Sequence, residues 1–294
     1  MKPGFVRVAA LLLAMGLGGL VPQMHVLSWC IRWLIVAMLF VVFLEVRLRG
    51  QALHGRQGVL LLANIFMGAA AGAAGGLAGG RDVALAALFA GISPTATAAP
   101  VIVGLLRGRV DYVTTVFLLT NLVIAGLMPL ALPVVLGHAT PEAFARISGG
   151  VCLVVFVPMA LAWAVRAAHA RAADWPARLR GVSFALWVAA ILLITADASH
   201  FLRTQAGLSH PVLFKIAAVT LLVCAANFAL GRMIGGRRLA LECSQSLGQK
   251  NTTFTIFLAL TYASPLVALG PTFYVIWHNL WNAWQLHRAN RDQG

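Results

Sequence analysis

Apolar runs long enough to cross a bilayer follow one another along nearly the whole chain, and the breaks between them carry most of its basic residues. A helix needs about 20 apolar residues to span a hydrocarbon core roughly 30 Å thick. Runs bounded by charged residues or by Gly and Pro fall at approximately 5–22, 28–47, 57–79, 83–106, 110–136, 143–166, 179–198, 210–233, 239–262 and 265–286, which predicts ten spans. Only 10% of the 294 residues are charged, against about 25% in a soluble domain. Such a chain lacks an ordinary water-facing surface, so lipid is its solvent.

The net charge of +14 does not point to nucleic acid, because the basic residues sit singly or in pairs between apolar runs and form no compact basic domain. Their distribution follows the positive-inside rule instead. With a cytoplasmic N-terminus, 16 of the 22 basic residues fall in cytoplasmic connections, while Arg81, Arg146 and Arg203 face outward and Arg32, Lys215 and Lys250 fall inside spans. The expectation is a multi-pass protein of a plasma membrane, such as a bacterial inner membrane, with both termini cytoplasmic. The apolar N-terminal run imitates a signal peptide but has no small-residue cleavage site before Pro22, so it reads as a retained first helix.

The chain divides most naturally after the fifth span, into 1–137 and 138–294. Five is an odd number, so two five-helix halves would insert with opposite orientation, as an inverted repeat. Span three also carries Gly68, Gly72, Gly76 and Gly80 at four-residue spacing, a face that lets another helix approach closely.

Two interruptions carry the chemistry. The first, Gly91 to Pro100, combines the helix breakers Pro94 and Pro100 with the hydroxyls of Thr95 and Thr97. The second, Ser246 to Thr253, places Ser246, Gln249, Lys250, Asn251, Thr252 and Thr253 inside an apolar run. Each lies in the fourth span of its half. Paired interrupted helices in corresponding halves are a pointer to a transporter's binding site, because unwound backbone at membrane depth must line a cavity or be buried in protein. Lys250 lies about 12 residues, or roughly 18 Å of helix rise, beyond Arg238, too deep for easy snorkelling to the interface. Snorkelling suits Lys215 and Arg32 better.

Thr120 and Asn121 in span five, and His278 and Asn279 in the last span, hold related places and are candidate cavity-lining residues. Trp277, Trp281 and Trp284 read as interfacial anchors and packing. The four cysteines are scattered small hydrophobes without a C-x-x-C pair. No hydrolase, zinc or nucleotide motif is present, so neither enzyme activity, nor a cofactor, nor a metal site is expected.

These residues resemble the bile acid:sodium symporter family. Its fourth-helix pattern P-x-G-T-A-S-N-V is similar to Pro94-Thr-Ala-Thr97-Ala98-Ala99-Pro100-Val101. Its ninth-helix pattern E-x-G-x-Q-N is similar to Ser246-Leu-Gly248-Gln-Lys250-Asn251, and Ser264-Pro265 and Trp277-His278-Asn279 follow as in the family. The resemblance implies an all-α membrane protein of ten helices in two inverted five-helix repeats, with helices four and nine broken and crossed. It also places the family's sodium ligands at Ala99, Pro100, Val113, Phe117, Ser246 and Lys250. A hard cation needs oxygen donors, and an ammonium would repel it.

The function expected is secondary transport of a small organic anion, a carboxylate, by alternating access, independent of sodium, with Lys250 replacing the cation and a proton as the coupling ion this arrangement allows. A conventional sodium:organic-anion symporter, a cation/proton antiporter and a non-transporting membrane sensor are the alternatives.

Overall fold

The computed structural model describes residues 3–45, 55–137, 140–204 and 210–291. Lys2, Arg47, Arg49 and the boundary position 138 lie outside the described residues. Among the described residues all regular structure is helical. The helices are α1 (Pro3–Leu20), α2 (Trp29–Glu45), α3 (Gly55–Gly79), α4 (Arg81–Ile92), α5 (Ala98–Leu105), α6 (Val110–Val135), α7 (Pro141–Ala168), α8 (Trp175–Arg178), α9 (Arg180–Thr204), α10 (His210–Gly235), α11 (Ala240–Gly248), α12 (Thr253–Tyr262) and α13 (Pro265–Arg291). Short 3-10 turns lie at Pro22–Leu27 and Ala170–Asp174.

Five of these helices, α3, α6, α7, α9 and α10, are long and apolar enough to cross a membrane, and α1, α2 and α12 contribute shorter apolar stretches. Large hydrophobic side chains such as Leu13, Trp29, Phe66, Leu77, Phe214 and Leu222 point outward from them. A soluble monomer rarely combines so many exposed large apolar side chains with helices of this length and composition, so the molecule is an all-helical, multi-pass membrane protein.

The helices pack in two groups. In one, α3, α4, α10, α11 and α13 contact each other, and in the other α1, α2, α7 and α9 do. α6 and α13 touch both. The tightest approaches run through glycines. A Cβ on Gly270 would strike the backbone of Ala86 on α4, and one on Gly231 would strike the backbone of Cys243 and Ser244 on α11.

Between α3 and α4 the close contacts lie at Gly68, Gly72, Gly75 and Gly79, whereas Gly76 has ordinary clearance and Gly80 forms the turn with φ 80°. The four-residue spacing seen in the sequence drifts about 40° per repeat around a helix of 3.6 residues per turn, so the contact face passes from Gly72 to Gly75.

Proline sites are handled locally. Pro133 cannot donate to the carbonyl of Pro129 four residues earlier, and Ser148 Oγ of α7 donates to that oxygen at 2.6 Å. Arg81 Nη2 donates to Leu136 O at 2.6 Å, capping the end of α6. At the opposite end of α6, the Arg109 amide donates to buried Glu242 Oε1 of α11 at 2.8 Å.

Candidate functional site

Each interruption has its own local cause. Ser93 precedes Pro94 and so leaves the helical region, with ψ 136°, which ends α4. Pro100 then sits in the first turn of α5, where its missing N–H is no loss. The second break has no proline. Gly248 ends α11 where the Phe228 ring of α10 fills the place of a Cβ, and Gln249 turns extended, with φ −86° and ψ 104°. The chain becomes helical again at Thr253.

The two unwound segments pair with each other. Thr95 and Lys250 form an antiparallel bridge. It is closed by Ala96 N donating to Gln249 O at 2.8 Å and Asn251 N donating to Pro94 O at 2.7 Å. Backbone groups freed by one break are thus satisfied by the other, as a site without bulk water requires. Two C-terminal helix ends (α4, α11) and two N-terminal ends (α5, α12) meet here.

The capping is reciprocal. Lys250 Nζ donates to Gly91 O at 2.8 Å, at the C-terminal end of α4. Thr95 Oγ1 donates to Ser246 O at 2.6 Å, at the C-terminal end of α11. Each residue of the bridge therefore caps the helix that leads into the other break. Other side chains take most of the remaining terminal carbonyls. Ser93 Oγ donates to Phe89 O at 2.8 Å, Asn64 Nδ2 to Ile92 O at 3.0 Å and Tyr274 OH to Gly248 O at 2.9 Å. The C-terminal end of a helix carries partial negative charge, so α4 offers the ammonium a favourable field.

Lys250 is 1% exposed, whereas Arg32 and Lys215 are exposed on their helices. Its second hydrogen bond goes to Asn64 Oδ1. Both acceptors are neutral oxygens, so Lys250 sits where the two breaks meet without a carboxylate partner among the described residues. An ammonium has three donors, and these contacts use two.

Around the bridge, Thr120 Oγ1 accepts from Thr95 N at 3.1 Å and Asn121 Nδ2 donates to Thr95 O at 2.8 Å. Asn251 Nδ2 donates to Asn121 Oδ1 at 3.3 Å. Lys250, Asn251, Ser246, Pro94, Thr95, Thr120 and Asn121 thus form one buried cluster. The Ser246 and Thr252 hydroxyls are buried there without a partner. Gln249 faces the other way: its Oε1 accepts from Asn282 Nδ2 at 2.5 Å, and Gln245 Nε2 links Asn282 to Gln285.

Thr97 and Pro100 lie on the partly exposed start of α5, where Thr97 makes no side-chain cap. His278 is buried edge-on to Tyr274, with ring centroids 5.7 Å apart, and Asn279 donates to Val275 O of its own helix at 2.7 Å. Neither reaches the bridge by a hydrogen bond. The sequence reading missed Asn64, Gln245, Asn282 and Tyr274, all buried; an amide within an apolar helix, and for Gln245 its place beside the polar run that begins at Ser246, is the signal that could have found the first three.

Among the described residues no three His, Cys, Asp or Glu side chains gather to hold a metal. Comparison with models of known protein families finds no match, and no curated protein matches the chain.

Proposed function

We propose that the chain is a secondary transporter of a small organic carboxylate, built as ten spans in two inverted five-helix halves and working by alternating access around the crossover. The observation that carries this reading is the Lys250 ammonium, held on the α4 end at the meeting point of two broken helices, without a carboxylate beside it among the described residues. A buried charge of this kind is costly and usually marks a substrate or ion path. Its third donor and the unpartnered Ser246 and Thr252 hydroxyls offer an anion charge compensation and hydrogen bonds. The N-terminal ends of α5 and α12 add fields of the matching sign.

Helix pairing supports the repeat. Laying the first half on the second matches α1 with α7, α2 with α9, α3 with α10, α4–α5 with α11–α12, and α6 with α13. The contact of α3 with α4 then recurs as α10 with α11, α1 with α9 as α7 with α2, and α4 with α13 as α11 with α6. The contact of α5 with α11 recurs as α12 with α4, and α5 with α6 as α12 with α13. This arrangement, together with the two breaks, supports a relationship to the bile acid:sodium symporter family in which a tethered ammonium takes the place of the coupling cation. Protons are the coupling ion a lysine admits, since a lysine can release its charge in a dry site and an arginine cannot.

Uptake of labelled carboxylates into proteoliposomes tests the reading. Uptake should persist when choline replaces sodium at constant pH. It should be lost in Lys250→Gln, which keeps polarity but removes the charge. Strict, saturable sodium dependence, or full uptake by Lys250→Gln, would overturn it.

A further inference from the structure

Asn64 sits in the middle of α3, 1% exposed, and both ends of its amide are engaged. Nδ2 donates to Ile92 O at 3.0 Å, and Oδ1 accepts from Lys250 Nζ. The orientation of this amide is fixed by chemistry. A carbonyl can only accept and an ammonium can only donate, so the nitrogen must face Ile92 and the oxygen must face Lys250. α3 packs on α4, and Asn64 thereby ties three segments together: its own helix, the α4 end and the second break.

We propose that Asn64 is a positioning residue for Lys250, and that its neutrality leaves the ammonium's charge to be balanced by the substrate carboxylate; this rests on the transport reading above. A neutral acceptor holds Nζ in place without cancelling its charge. An aspartate of nearly the same shape would do the opposite. It could not donate to Ile92 O, and it would form a buried ion pair with Lys250, where a lone charge gains most from a partner. The site would then carry its own carboxylate, and an external one would have to compete with it. An aliphatic residue would leave Ile92 O and one ammonium proton without partners.

The test uses the full chain. KM and maximal rate for carboxylate uptake are measured for the wild type and Asn64→Asp. Unfolding stability in detergent is measured for the wild type, Asn64→Leu, Lys250→Gln and the double variant Asn64→Leu/Lys250→Gln. Asn64→Asp should raise KM at least about tenfold while the maximal rate stays within about threefold, the mark of a binding interaction met by an internal competitor. Asn64→Leu should destabilise the protein, and clearly less so in the Lys250→Gln background, because the two residues share one hydrogen-bonded unit.

An unchanged KM in Asn64→Asp, or the same stability loss from Asn64→Leu in both backgrounds, would overturn the proposal. If Asn64→Asp does not fold, the stability cycle decides. If the wild type carries no carboxylate at all, the transport reading and the balancing role both fall, and the cycle alone then settles whether Asn64 positions Lys250.

Discussion

Thr95→Val isolates one of the two reciprocal caps. Valine keeps the branched shape of threonine and replaces the hydroxyl with a methyl, so the backbone of the first break can stay where it is. The bond lost is Thr95 Oγ1 to Ser246 O, 2.6 Å long and fully buried. α11 ends at Gly248, so Ser246 O is one of the four carbonyls that a helix end leaves without an ordinary donor. A buried acceptor stranded this way costs about 1–3 kcal/mol. Thr95→Ser is the control. It keeps the hydroxyl and removes one methyl, a loss of about 0.8 kcal/mol of apolar burial with some addition for the small void. The expected order of stability is therefore wild type, then Ser, then Val, measured by thermal or denaturant unfolding of the purified protein in one detergent. If Thr95 served only as packing, Ser would be the worse substitution. A Val variant equal to the wild type, or more stable than Ser, would refute the reasoning that side-chain capping joins the two breaks.

The remaining predictions concern packing and topology. Gly270→Ala drives a methyl into the backbone of Ala86, which no rotamer change relieves, so α13 and α4 must separate; a loss of about 1–3 kcal/mol is expected in the same unfolding assay. An unchanged stability would mean that the two helices lie farther apart than described. Cysteines introduced at Asp82 and Asp174 should react with a membrane-impermeant reagent from opposite sides, Asp82 from outside and Asp174 from the cytoplasm. Labelling of both from one side would sink the ten-span topology.

The two breaks were legible in the sequence because each is a local anomaly. Prolines and hydroxyls interrupt one apolar run, and six polar side chains interrupt another. Their backbone pairing was not, since the partners are about 150 residues apart and no local signal sets the register between Thr95 and Lys250. The depth of Lys250 could be read from helix rise, but its direction could not. It runs back toward the α4 end because Gly91 O of α4 and Asn64 Oδ1 of α3 offer oxygens there. Asn64 was harder to single out, as the 25-residue apolar helix α3 carries two amides, Gln57 and Asn64, and no local pattern says which of them meets Lys250. Conversely, the Trp277-His278-Asn279 run drew the eye, yet Trp277 Nε1 donates to Thr220 Oγ1 of α10 at 3.3 Å and Asn279 to its own helix, while Asn282, one turn further on, makes the link to Gln249.

The order in which a ribosome makes these partners gives the bridge a consequence for biogenesis. Pro94 O and Ala96 N find their mates on Asn251 and Gln249, and these do not exist when the first break enters the membrane. At ordinary rates of synthesis the interval is roughly 8–30 s. Throughout it, the nascent first half holds an unwound, proline-broken stretch whose polar backbone has to lean on water, on the insertion machinery or on its own earlier helices. The join between the two breaks therefore waits until most of the chain has been made.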